Sequence, residues 1–331
     1  MKKISTTLLL SVIGICMLGS FAMAAIVGST DDPILVGGGA RPLGMGRAFD
    51  AIADDADAIF LNPGGLAGIK GLQAMSMFTN LFGDVYYEEY AVAIPTPWGT
   101  TGIGYITTGV NDIPTTGNLK ADYYDSLLDL SYSVPIGKYF NYGNNIFAGV
   151  SYKIYSRGFS GSINEYATGT SADIGVKYII DPNTSIGVIR QNFLPVSFGG
   201  VLNLSSGAEE SIAGFTKIGI AHKPEIFNRA VTIAADADLP SFSGRPVTLH
   251  LGTEWNIHEL VSLRFGFDQS IDADNPEKTN TDPTYGISFG NFGFRVDYAY
   301  HPYYNDPSLA TTYLSISYKT DPWFALKGTV E

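Results

Sequence analysis

Four aspartates, Asp50, Asp54, Asp55 and Asp57, crowd one short stretch near the amino end of the chain. Carboxylate oxygens suit hard cations, but this spacing matches no EF-hand loop. Helix capping, water or arginine are the expected partners. Asp236 and Asp238 stand two apart. Such a pair can move protons, but in a strand it shares one face and reads as part of an ion network. The histidines, His222, His250, His258 and His301, are scattered. His250 falls on the same strand face as Glu254, which predicts a structural hydrogen bond rather than a metal ligand. No G-x-S-x-G segment is present, and "GGGARPLG" has no Lys-Ser or Lys-Thr after it, so neither a hydrolase elbow nor a phosphate loop is formed. The expectation is no enzyme, no metal and no cofactor.

The amino end reads as an export signal. Lys2 and Lys3 precede a mostly apolar run from Thr6 to Phe21, and Ala22-Met23-Ala24 offers a cleavage site. The expected leader is residues 1–24. Cys16, the one cysteine, leaves with it, so no disulfide or thiolate metal site is expected in the mature chain. Removing Lys2 and Lys3 leaves 18 basic against 32 acidic residues, a net charge of −14. Such a chain is a poor match for nucleic acid, whose phosphates need Lys and Arg. No later apolar run approaches the roughly 18 residues of a spanning helix, so a membrane location implies a barrel.

From residue 72 onward the period is two. Leu249, Leu251 and Trp255 alternate with His250, Gly252 and Glu254; Leu263, Phe265 and Phe267 alternate with Arg264, Gly266 and Asp268. Segments of this kind fall at 71–80, 86–95, 99–108, 123–135, 145–157, 168–180, 183–191, 213–222, 229–239, 246–256, 259–269, 282–289, 291–300 and 311–319. About fourteen strands, an even number, let an antiparallel barrel close without an edge. The polar faces carry Lys153, Asp173, Lys177, Asp236, Asp238, Glu254, Arg264, Asp268, Arg295 and Asp297, with glycines at 149, 175, 219, 252, 266 and 293. Mixed charges and small residues fit a crowded lumen with paired ions. A soluble sandwich would bury the apolar face instead. Asp181-Pro182-Asn183 and Asn256-Ile257-His258 read as tight turns, and 108–122, 158–167 and 270–281 as long loops. The stretch 192–212 fits neither pattern.

Between leader and strands runs "LGMGRAFDAIADDADAIFLNPGGLAGI". Met45, Phe49 and Ile52 recur at near-helical spacing. Asn62 before Pro63 is a candidate cap with proline at the first helical position. The segment is too apolar for a free tail, and the barrel interior is the economical place for it. Here the sequence resembles the FadL-type long-chain fatty-acid transporters and the related PorV/PorQ outer-membrane proteins, in Gly44-Met45-Gly46, "AFDAIADDADAIFLNPGGLAG" and above all Asn62-Pro63. "VIRQNFLP", "LHLGTEW", "LRFGFD" and "FRVDYAYH" resemble PorV/PorQ more than FadL proper. The carboxyl end departs from that pattern, because "KTDPWFALKGTVE" continues past the last strand.

The resemblance implies an all-β transmembrane barrel of the outer membrane of a Gram-negative-type bacterium, with an amino-terminal hatch in the lumen. The expected division is a leader at 1–24, hatch at 25–70, barrel at 71–319 and tail at 320–331. It implies passage or binding of a hydrophobic ligand such as a fatty acid, in contact with outer-membrane lipid. Hatch residues Gly44, Gly46, Arg47, Asn62, Pro63 and Gly65 would govern passage. Gly102 and Gly104 could kink the wall or simply relieve crowding. The alternative is a PorV-like, non-transporting partner of secretion-system proteins.

Overall fold

A computed structural model describes residues 29–30, 33–81, 83–139, 145–241, 245–272, 275, 277–303 and 307–321. The leader and the tail from residue 322 lie outside the described residues. Fourteen strands of the described residues form the barrel, named here β1 (Gln73–Leu81), β2 (Val85–Thr96), β3 (Gly99–Pro114), β4 (Lys120–Val134), β5 (Ile146–Gly161), β6 (Glu165–Asp181) and β7 (Thr184–Gln191) in the first half. The second half is β8 (Phe215–His222), β9 (Val231–Pro240), β10 (Thr248–His258), β11 (Val261–Ile271), β12 (Thr279–Asn291), β13 (Phe294–His301) and β14 (Thr311–Lys319). Each pairs antiparallel with the next, β7 with β8 included, and β14 returns to β1, so the sheet closes. All fourteen segments marked by the period of two are present.

The apolar side chains face outward. Leu251 is 51% exposed and Leu263 38%, whereas their neighbours His250 and Arg264 are 2% and 4% exposed. An apolar outer surface around a charged interior is the arrangement of a barrel in lipid, and the reverse of a soluble sandwich.

Several expected loops are strand instead. Residues 108–122 and 158–167 extend β3 with β4 and β5 with β6, and the links shrink to 115–119 and 162–164. These extensions rise beyond the apolar belt. Asn256-Ile257-His258 is the end of β10, and the turn is Glu259-Leu260. Gly293 is a turn residue at φ +83°, not a lumen glycine. The stretch 192–212 leaves β7 and forms a hairpin, Val201–Leu204 with Glu209–Ile212, hydrogen-bonded to the upper part of β6. At one end of the barrel the links 97–98, 182–183, 259–260 and 292–293 are two residues each, and this is called the turn end.

Residues 33–72 run through the interior. Two short α-turns, Ala40–Leu43 and Ala58–Leu61, and a 3-10 turn, Pro63–Gly68, are joined by tight bends. Phe49, Ile59, Phe60 and Leu66 are wholly buried. Apolar lumen positions, among them Leu81, Tyr87, Ile106, Leu127 and Tyr155, join Ile34 in one core cluster toward the far end.

Candidate functional site

The inner segment is fitted to the wall through glycines. The register places Gly149 opposite Gly175, Gly187 opposite Gly219, and Gly252 opposite Gly266. A Cβ on Gly149 or Gly175 would fall within 3.0 Å of Pro63 atoms, on Gly187 of Asp50 and Ala51 backbone, and on Gly252 or Gly266 of Met45. Gly44 rests on the backbone of Gly286. Gly102 and Gly104 receive the side chains of Ile59, Phe60 and Leu66. β3 pairs without a break to β2 and β4 at these two glycines, so they relieve crowding and do not kink the wall. Glycine serves here for close approach of two backbones.

Asn62 explains the prominence of Asn-Pro in the sequence. Its Oδ1 accepts from Gly64 N–H at 3.0 Å, and its Nδ2 donates to Asp50 O at 2.8 Å and to Val176 O at 3.2 Å. One buried amide thus ties the two arms of the segment to each other and to β6. Pro63 begins the following turn, and Gly65 packs against Ala53, again joining the two arms.

Charge completes the seating. Arg41 pairs with Glu254 through Nε and a terminal nitrogen, each at 2.8 Å, and reaches Asp54 and Asp55 at 2.6 Å each. Glu254 is met from its other side by Arg264 at 2.6 Å, Arg264 meets Asp297 at 3.0 Å, Asp297 meets Arg295 at 2.8 Å, and Arg295 reaches Asp55 at 3.3 Å. The six groups close a ring of alternating sign, with Asp54 pendant on Arg41. Glu254 and Arg264 are directly opposite across β10 and β11, the position from which cross-strand pairs interact.

Two further clusters surround the segment. Arg47, at φ +65°, donates to Asp268 at 2.9 Å, and Asp268 also meets His250 at 2.8 Å. Lys217 pairs with Asp238 at 2.9 Å, while Asp236 accepts the backbone N–H groups of Phe49 and Asp50 at 2.6 and 2.8 Å. On the other side, Lys153 pairs with Asp173 at 2.7 Å beside Asp129, and Lys177 donates to the carbonyl of Ile52. All ten charged strand positions named from the sequence therefore lie in or beside these clusters. Arg41 and Glu89 were not singled out. Glu89, fully buried on β2, accepts Gly39 N–H at 3.0 Å. A signal for Arg41 existed: it and Arg47 are the two arginines of a segment holding four aspartates.

Among the described residues, no group of three or more His, Cys, Asp or Glu is placed to hold a metal. A cavity of about 520 Å³ lies at the turn end under the ring, lined by Arg41, Asp54, Asp57, Lys223, Glu254 and Arg295 among others. A second, of about 120 Å³, is lined by Ile52, Asp54, Lys177 and Lys223.

The seating is pH-dependent in two opposed ways. Burial, reinforced by Asp55 and Glu89, pushes the Asp57 carboxyl well above the ordinary range, and burial with Asp236 does the same to Asp50. Burial also opposes charge on Asp54, but Arg41 and Lys177 outweigh it and hold that carboxyl low. A raised carboxyl contributes stability that is present below its unfolded pKa of about 4 and is lost as pH rises through its folded value. A lowered one contributes above that pKa and is lost as pH falls through its folded value. Thermal midpoints measured against pH are expected to decline on the alkaline side. Asp57→Asn should flatten that decline and leave the acid limb in place; an unchanged alkaline limb would refute the assignment.

No protein-family model and no curated protein matches the sequence. Solved structures do match in fold. The toluene transporter TodX of Pseudomonas putida superposes with a TM-score of 0.60 at 13% identity, covering 86% of this chain and 98% of the other. A FadL homologue of Pseudomonas aeruginosa superposes with a TM-score of 0.57 at 12% identity, covering 85% and 98%. At this identity the likeness is one of architecture: the chain is a closed fourteen-strand barrel that superposes on these two proteins over most of its length.

Proposed function

We propose that this protein is an outer-membrane channel that binds and passes small hydrophobic or amphipathic molecules, long-chain fatty acids among them. The observation that carries the reading is the build of the lumen. At the far end the lumen side chains Leu81, Tyr87, Ile106, Leu127 and Tyr155 form an apolar cluster packed on a clamped segment, and on the other side of that segment lies a polar, water-accessible turn-end cavity. An apolar lumen end and a wet polar end divided by one clamped segment suit a path for a molecule that is apolar at least in part. The fold shared with a toluene transporter and a FadL homologue supports the same reading. The turn end is taken as periplasmic, following the usual shortness of periplasmic turns, and the leader at 1–24 as the export signal. Gly44, Gly46, Arg47, Asn62, Pro63 and Gly65 then seat the hatch segment in the lumen, and no catalytic step is assigned.

Labelled fatty acid offered to vesicles containing the purified protein should enter saturably. Uptake no greater than in empty vesicles would overturn the proposal. The segments that resemble PorV/PorQ favour a second reading, a PorV-like partner of a secretion machine. Absent uptake together with a stable complex in a pull-down would establish that reading instead.

A further inference from the structure

Most of the inner segment cannot slide. Its backbone at Gly44–Gly46 and at Pro63–Gly64 is keyed against wall glycines, and axial movement would drive those backbones onto the side chains of the next residues on each strand's inner face. One stretch is held differently. The Ala53–Ala56 loop is held by side-chain charge, through Arg41 of the inner segment itself and, on the wall, through Arg295 and the Lys177 contact to the Ile52 and Ala53 carbonyls. Asp54 lines both cavities, so space flanks the loop on two sides. Ala53 sits at φ +26°, a conformation that L-residues rarely adopt and that marks stored backbone strain. The wall offers no competing window at β3, since Gly102 and Gly104 are filled by Ile59, Phe60 and Leu66.

We propose that passage opens at this loop, by release of Asp54 and Asp55 from Arg41, and leads along the barrel axis into the turn-end vestibule rather than sideways through the β3 wall. The inference rests on the channel reading and adds the gate and the exit. It also narrows the cargo. A molecule leaving through a vestibule lined by Arg41, Asp57, Lys223 and Arg295 leaves into water, so it carries a polar end or is small enough to dissolve. Arg41 is a positioning residue in this scheme. Without it Glu254 keeps Arg264 and Asp55 keeps Arg295, but Asp54 loses its direct ion pair and three carboxylates face one another.

The test measures conductance of the purified barrel in planar bilayers. Arg41→Ala should raise the open fraction about tenfold, and Arg41→Lys less, because a lysine keeps the charge without the fork. Residues 25–331 contain no cysteine, so Asp54→Cys with Lys223→Cys, both lining the same cavities, can be bridged by a short bis-methanethiosulfonate, which forms a reducible disulfide to each cysteine with loss of methanesulfinate. Bridging should silence the conductance and reduction should restore it, in the parent background and with Arg41→Ala. Conductance that survives bridging overturns the axial route. An Arg41→Ala barrel with the parent's heat-dependent gel mobility and the parent's conductance overturns the gate. Should Arg41→Ala fail to fold, Arg41→Lys and the bridged parent decide alone. Fatty-acid binding to the same preparations reports on the channel reading separately: binding with no effect of the bridge defeats this inference only, and no binding defeats the reading beneath it.

Discussion

Valine in place of Gly266 is expected to destabilise the barrel by about 3 kcal/mol or more, the upper part of the range for overpacking a tight interior. The new Cβ would fall within 3.0 Å of Met45 and Gly46 backbone atoms, and the two methyls beyond it have no free volume. A clash with a flexible side-chain end would relax cheaply. Here the opposing atoms are backbone, held by Gly252 and Gly286 on the two strands that flank β11. β-propensity works the other way, since valine favours a strand and glycine does not. The sign of the effect therefore separates the two roles of this glycine. Gly68→Ala is the control, because nothing lies within 4 Å of the position where its Cβ would stand. Unfolding by urea in lipid vesicles measures both. Gly266→Val at parent stability would mean that the inner segment is not seated against β11.

The strands were legible because each side of the wall meets a different medium, and that contrast is written into alternate residues. Where the contrast stops, so did the reading. Above the apolar belt the outward residues of β4 to β6 include Asp122, Ser160 and Thr168, all exposed. With water on the outside, the outer face no longer needs apolar residues, and paired strand looks like polar loop. The glycines were visible as a recurrence on the lumen face, but their purpose depends on register. Only the pairing of Gly252 with Gly266, and of Gly187 with Gly219, shows that they form seats for another backbone. The ion ring was legible in part for the same reason. Glu254 and Arg264 could be assigned to one face each, yet their meeting point with Arg41 joins residues 213 positions apart. Asn62-Pro63 was the exception, because its capping chemistry is local and survives translation from sequence to structure.

Adjacent residues on β11 provide the sharpest discrimination of which face is wet. Leu263→Arg should cost about 1–2 kcal/mol, between the penalties for a cation on the lipid face at the interface and at the midplane, because Leu263 is the third residue after the turn Glu259-Leu260. Arg264→Leu should cost about 3 kcal/mol, the low end of the range for breaking a buried pair. The low end applies because Glu254 retains Arg41 and Asp297 retains Arg295 after the change. The two side chains point to opposite faces and share no partner, so the double variant Leu263→Arg/Arg264→Leu should approach the sum, about 4–5 kcal/mol. It has the parent's composition and charge, which removes solubility and net charge as explanations. In a soluble sandwich the ranking reverses: an arginine at a buried leucine is ruinous, and leucine at an exposed arginine is nearly neutral. Urea unfolding in vesicles of the three variants therefore reads orientation directly. A stable Arg264→Leu beside an unfoldable Leu263→Arg would place the apolar face inside and remove the lumen on which the channel depends.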